Sequence, residues 1–209
     1  MVVRELSLMM RVKGNGRLRT EEKVTMSTPL NDLLDAERAQ YPVRIDRQDE
    51  WYPDTLFGYV VSVSKQWFAV QELNEAVFFD AYQVARTPDV VSVEDDREAG
   101  YIERAVAALG RPPVDFRLPE EPSTADVLQA AAAHSELFVV CFEREPDQPT
   151  IVGNLLALRE HDFSMQIINP RGVWVDGPTD WKYDDVTRVR SGGRYEAALA
   201  RFGEKRPEL

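Results

Sequence analysis

Phe57-Gly58-Tyr59-Val60-Val61-Ser62-Val63 and Val152-Gly153-Asn154-Leu155-Leu156-Ala157-Leu158 read as two versions of one strand. Each is an apolar run with a glycine at its second position, where a strand kinks or lets another backbone come close. Working outward, five more segments match in the same order. Upstream, Asp32-Leu33-Leu34-Asp35-Ala36 aligns with Asp126-Val127-Leu128-Gln129-Ala130, and Ile45-Asp46-Arg47 with Phe142-Glu143-Arg144. Downstream, Trp67-Phe68-Ala69-Val70 aligns with Phe163-Ser164-Met165-Gln166, and Asp89-Val90-Val91-Ser92-Val93 with Asp185-Val186-Thr187-Arg188-Val189. Tyr101-Ile102-Glu103-Arg104-Ala105 and Tyr195-Glu196-Ala197-Ala198-Leu199 complete the set, and the offset stays between 94 and 97. Each match is weak alone, but six in one order point to an internal duplication.

Both copies imply the same succession. A helix opens each; in the second, Ser123 and Asp126 after Pro122 form a capping-box start, and Ala130 to Ala133 favours helix. An extended segment follows, Val43 to Arg47 or Leu137 to Glu143, then two apolar strands that turn at residues such as His161-Asp162. The last two strands meet at an abrupt corner, Thr87-Pro88-Asp89 or Tyr183-Asp184-Asp185. A short amphipathic helix closes each copy, with Tyr195, Leu199 and Phe202 on one face of the second.

The expected divisions are a first repeat over 26–110, a proline-rich linker over 111–122, a second repeat over 123–203 and a tail over 204–209. Pro112, Pro113, Pro119 and Pro122 stiffen the linker and keep it out of any sheet. Residues 1–25 match nothing in the second copy and carry six basic against three acidic side chains. They are expected to be an over-extended start before Met26 or a disordered tail, and to add nothing to the fold.

Five short strands after a helix, with one tight corner before the last, resemble the small barrel of the Sm-like, SH3-type kind. The chain is similar to bacterial proteins that carry two such units in tandem and end in a stretch like Val186-Thr187-Arg188-Val189 followed by Gly192-Gly193-Arg194-Tyr195. That resemblance covers nearly everything after Met26. It implies a mostly β fold with short flanking helices and two tandem five-stranded barrels, closed so that no strand edge is left open. It brings no established activity. Sm-like proteins bind RNA through an Asp-then-Asn loop and an Arg-Gly-like or Lys-Gly-like loop. Here those places hold Ser64-Lys65-Gln66 and Thr87-Pro88-Asp89, and in the second copy Glu160-His161-Asp162 and Tyr183-Asp184-Asp185. RNA binding therefore does not follow from the fold alone.

Catalytic chemistry has little to stand on. The two histidines, His134 and His161, lie near no nucleophile elbow. Cys141, within Phe138-Val139-Val140-Cys141-Phe142, reads as a buried structural thiol, and one cysteine cannot form an internal disulfide. Three Cys and His residues spread along the chain do not make a zinc site. Asp95-Asp96 and Asp184-Asp185 read as solvated loop ends rather than a catalytic pair, since adjacent side chains on a strand point apart. Ser191-Gly192-Gly193-Arg194 lacks the spacing of a nucleotide loop. The expectation is a non-enzyme with no cofactor and no metal.

The chain of 209 residues is 44% apolar and 29% charged, with a formal net charge of −11. No apolar run approaches the roughly 20 residues that span a bilayer, and the single cysteine suits a reducing cytoplasm. Acidity disfavours phosphate binding and suits a protein partner with a basic surface, met by electrostatic steering. The expected role is an interaction protein, for example an immunity-type or antitoxin-like inhibitor. Its candidate contacts are the loop aromatics Trp51 and Tyr52 and the acidic strand end Asp95, Asp96 and Glu98. Trp174 and Trp181 flank a further loop at Asp176-Gly177-Pro178. The alternative is an RNA-binding regulator. Residues 27–110 hold 16 acidic and 7 basic side chains, whereas residues 111–209 hold 17 and 12, so RNA would bind the second copy at Lys182, Arg188, Arg190 and Arg194.

Overall fold

A computed structural model describes residues 27–47, 55–74, 77–95, 100–144 and 150–207. The first half runs α1 (Pro29–Ala39), β1 (Pro42–Arg47), β2 (Thr55–Val63), β3 (Trp67–Asn74), β4 (Phe78–Arg86), β5 (Val90–Asp95) and α2 (Tyr101–Leu109). The second runs α3 (Thr124–His134), β6 (Phe138–Cys141), β7 (Ile151–Leu158), β8 (Asp162–Ile167), β9 (Thr179–Lys182), β10 (Arg188–Ser191) and α4 (Arg194–Phe202). A single 3-10 turn, Thr87–Asp89 or Tyr183–Asp185, makes the corner before the last strand of each half.

Local chemistry accounts for the helix ends. Thr28 accepts from the Asn31 amide at the start of α1, and Pro29 sits in the first turn, where its missing N–H loses nothing. Gln40 ends the helix in the left-handed region at φ 54°. The expected capping box at α3 forms, with the Ser123 side chain accepting from the Asp126 amide and Asp126 accepting from the Ser123 amide.

All ten strands form one antiparallel sheet in the order β5-β1-β2-β3-β4-β10-β6-β7-β8-β9. Within each half the spatial order is fifth, first, second, third, fourth. The expectation of two separate closed barrels is corrected here: the sheet is continuous and open, ending on β5 and β9. Residues 81–85 of β4 are buried on both faces, so the outer backbone edge of that strand must find partners inside the protein. β10 supplies them, pairing Arg188 with Ala85, Val189 with Val84, Arg190 with Gln83 and Ser191 with Tyr82.

The ladders also shift two of the sequence matches. β2 and β7 each carry a bulge at the same place, between Val60 and Ser62 and between Leu155 and Ala157. Counting from those bulges, Phe68 corresponds to Phe163, so Trp67 does not. Ile45 lies between Leu56 and Val93 as Val140 lies between Ile151 and Val189, so Val140, not Phe142, is its counterpart.

Gly58 and Gly153 do hold equivalent positions, opposite Val43 and Phe138 in the preceding strands. A Cβ at Gly153 would collide with the Gln166 carbonyl, and one at Gly58 with the Gln71 carbonyl. Gly153→Ala therefore requires the β7–β8 ladder to shift, and a loss of about 2 kcal/mol is expected in urea denaturation. A loss below about 0.5 kcal/mol would show that the close approach is not tight.

Two main cores lie on the sheet. One packs Leu33 and Ala36 of α1 on Val43, Ile45, Val60, Phe68 and Val70. The other crosses the β4–β10 seam, joining Trp67, Tyr82 and Val84 to Val127, Leu128 and Ala131 of α3 and to Phe138, Val140, Phe163 and Met165. The proline-rich segment belongs to this second core through Phe116, 4% exposed and stacked on Tyr82 at 5.2 Å. It is strapped to the first half by Gln71, which donates to the Pro112 carbonyl, and by Arg111, which donates to Gln71 and Gln40. The two halves thus share one interior.

Candidate functional site

The seam brings buried charges together on both faces of β10. On one face Glu143 accepts from both terminal nitrogens of Arg47 and from Arg188 Nε, all at 2.9 Å, and from the Thr187 hydroxyl. Burial pushes the Glu143 carboxyl up, but the hydrogen bonds and positive charge of Arg47 and Arg188 outweigh it and hold it below the ordinary carboxylate value. On the other face Arg190 donates to Glu196 and Asp80 at 2.7 Å and to Glu72 at 3.3 Å. Burial opposes the Arg190 charge, yet Glu196, Glu72 and Asp80 raise its pKa further. Burial pushes the fully buried Glu196 carboxyl up, against the pull of Arg190. Arg86 adds a third tie, lying 4.6 Å over the Trp67 ring and donating to the Val186 and Tyr183 carbonyls.

Next to Asp80 the seam opens into a cavity of about 490 Å³. Phe79, Asp80, Ala81 and Tyr82 of β4 form one wall, Pro112, Pro113 and Asp115 of the strap another, and His134 and Gly192 close it from the second half. Tyr82 Oη donates to the Pro113 carbonyl and accepts from the Asp115 amide, and burial raises its pKa. The His134 ring stands edge-on to both Tyr82 and Phe116. Its Nδ1 lies 3.0 Å from Ser191 Oγ and its Nε2 3.4 Å from Asp115.

Ser191, His134 and Asp115 were not foreseen together, because they come from β10, α3 and the strap and no local spacing links them. Their geometry orients a ring rather than arming a nucleophile. Ser191 is 1% exposed and donates its hydroxyl to the Ala131 carbonyl, so its oxygen is left to accept from His134. A serine nucleophile needs the opposite polarity and an oxygen open to substrate. Cys141 is buried as expected, and burial raises its thiol pKa. No group of His, Cys, Asp and Glu among the described residues is arranged to hold a metal ion, and no helix among them is long and apolar enough to cross a membrane.

Of the acidic candidates, Asp95 ends β5 and is exposed beside Glu94, while Trp51, Tyr52, Asp96 and Glu98 lie outside the described residues. Trp174 is half-buried and donates to the Glu204 carbonyl, and Trp181 stacks on Phe142 at 4.4 Å, so both pack against the second half. The four basic candidates separate. Arg188 and Arg190 are held in the carboxylate groups of the seam, whereas Lys182 and Arg194 are exposed, and the Arg194 guanidinium lies 3.4 Å from Asp80. No family model, no curated protein and no solved structure matches this chain.

Proposed function

We propose that this chain is a non-catalytic interaction protein that neutralises a basic protein partner, an acidic inhibitor of the immunity or antitoxin type working in the bacterial cytoplasm. Its scaffold is two tandem Sm-like, SH3-type units derived by duplication; the shared strand order, the paired bulges and the matching glycines support that descent. The observation that carries the functional reading is the placement of the arginines in β10. The most basic strand of the sheet, Arg188-Val189-Arg190, turns its charges onto Glu143, Glu72, Asp80 and Glu196. A phosphate backbone needs cations that are free to meet it. What the seam leaves outward is the acidic excess of a chain with net charge −11.

Glu94 and Asp95 at the exposed end of β5 offer a direct test. Glu94→Lys with Asp95→Lys is expected to slow association with the co-purifying basic protein about tenfold at low salt, leaving the dissociation rate nearly unchanged. Stopped-flow mixing over a salt series checks this. An association rate indifferent to both salt and the two reversals would contradict a role for the acidic surface.

A further inference from the structure

The seam cavity has a chemical bias that narrows what it can hold. Its lining includes two aspartates and no lysine or arginine. Two of its residues are prolines, which present carbonyl acceptors and no N–H donor. The donors close by are already committed: Gln71 to the Pro112 carbonyl, Tyr82 to the Pro113 carbonyl, and the Arg194 amide to Asp80. Arg111, next to Pro112, turns its guanidinium over Tyr59 at 4.1 Å. Acceptor capacity thus exceeds donor capacity around the space. Asp115, its side chain 70% exposed, faces only the His134 ring at 3.4 Å among its side-chain contacts. The rings of Phe79 and Tyr82 add aromatic surface that attracts a cation.

We infer that this cavity receives a lysine or arginine side chain projecting from the basic partner, with Asp115 as its carboxylate anchor. The inference rests on the interaction reading above and gives it a site. A guest with three to five N–H donors and a full positive charge matches a wall of carbonyls, carboxylate and aromatic rings. An anionic guest would meet Asp80 and Asp115 with no cation in the lining to receive it. The space, about 490 Å³, holds one long side chain with its ordered waters, and it lies where the two halves meet, a usual place for a binding pocket.

The test uses the full chain. Nα-acetyl-arginine amide and Nα-acetyl-lysine amide are titrated against isotope-labelled protein, with uncharged Nα-acetyl-citrulline amide as control. Shifts confined to His134, Tyr82 and Gly192 are expected with the two cations and absent with the control. Asp115→Asn should weaken both the amide binding and the captured partner about tenfold with an unchanged melting temperature, whereas Asp176→Asn, also an exposed acid of the second half, should change neither. Shifts scattered over the acidic surface, or full partner affinity in Asp115→Asn, would overturn the cavity assignment and leave the interaction reading standing. If spermidine saturates the cavity while the partner ignores Asp115→Asn, the guest is a free amine and the inference fails. Should no protein partner bind at all, the interaction reading fails, and the inference with it whatever the amides do.

Discussion

Glu143→Gln is expected to destabilise the protein by about 3–5 kcal/mol, because it leaves the Arg47 and Arg188 guanidinium groups inside the seam without their counter-charge. The Arg47 side chain is 2% exposed and that of Glu143 9%, so little water can take over. The pH dependence identifies the cause. The folded-state pKa of Glu143 lies below its ordinary value, so its contribution is present above the unfolded carboxylate range and disappears as pH falls through the depressed value. Urea denaturation over a pH series should show wild type losing this contribution on acidification and the glutamine variant lacking that part of the loss. Equal stability of the two proteins at neutral pH would mean that the pair contributes no more than an apolar contact.

Arg190→Met should have an effect of similar size, about 3–5 kcal/mol, and a pH signature of opposite sign. The thioether fills much of the same volume but leaves Glu72, Asp80 and Glu196 crowded together. Glu196 is already raised, and a carboxyl with a raised folded pKa gives stability that is present at low pH and lost as pH rises. Removing the arginine raises it further. The gap to wild type should therefore shrink between about pH 7.5 and pH 5, as the carboxyls take up protons. A gap that widens on acidification would show that Arg190 acts by packing alone.

Much of this architecture was legible because it is local. The Ser123–Asp126 cap, the corners at Thr87 and Tyr183 and the strand glycines each follow from a few neighbouring residues. The continuous sheet was not legible, because pairing of β4 with β10 depends on contacts about a hundred residues apart, and short apolar strands read the same in a closed barrel and in an open sheet. The same limit explains the candidate RNA site. Arg188 and Arg190 look like a basic patch in the chain, yet Glu143, Glu72, Asp80 and Glu196 reach them from other elements. Ladder register also corrected the pairing of Trp67 with Phe163, since a one-residue slip moves a side chain to the other face. Trp67 accordingly lies in the shared seam core, and its neighbour Phe68 in the first core.

The central claim is that the chain meets a basic protein and not RNA. Its most direct test is a parallel titration of wild type and a Lys182→Ala, Arg194→Ala double variant against total RNA and against the captured partner. Both changed side chains are exposed, so the variant should fold normally. The account expects weak RNA binding by either protein at physiological salt, and tight, salt-sensitive binding of the partner that is unaffected by the double variant. Tight RNA binding by wild type, lost in the double variant, would contradict it.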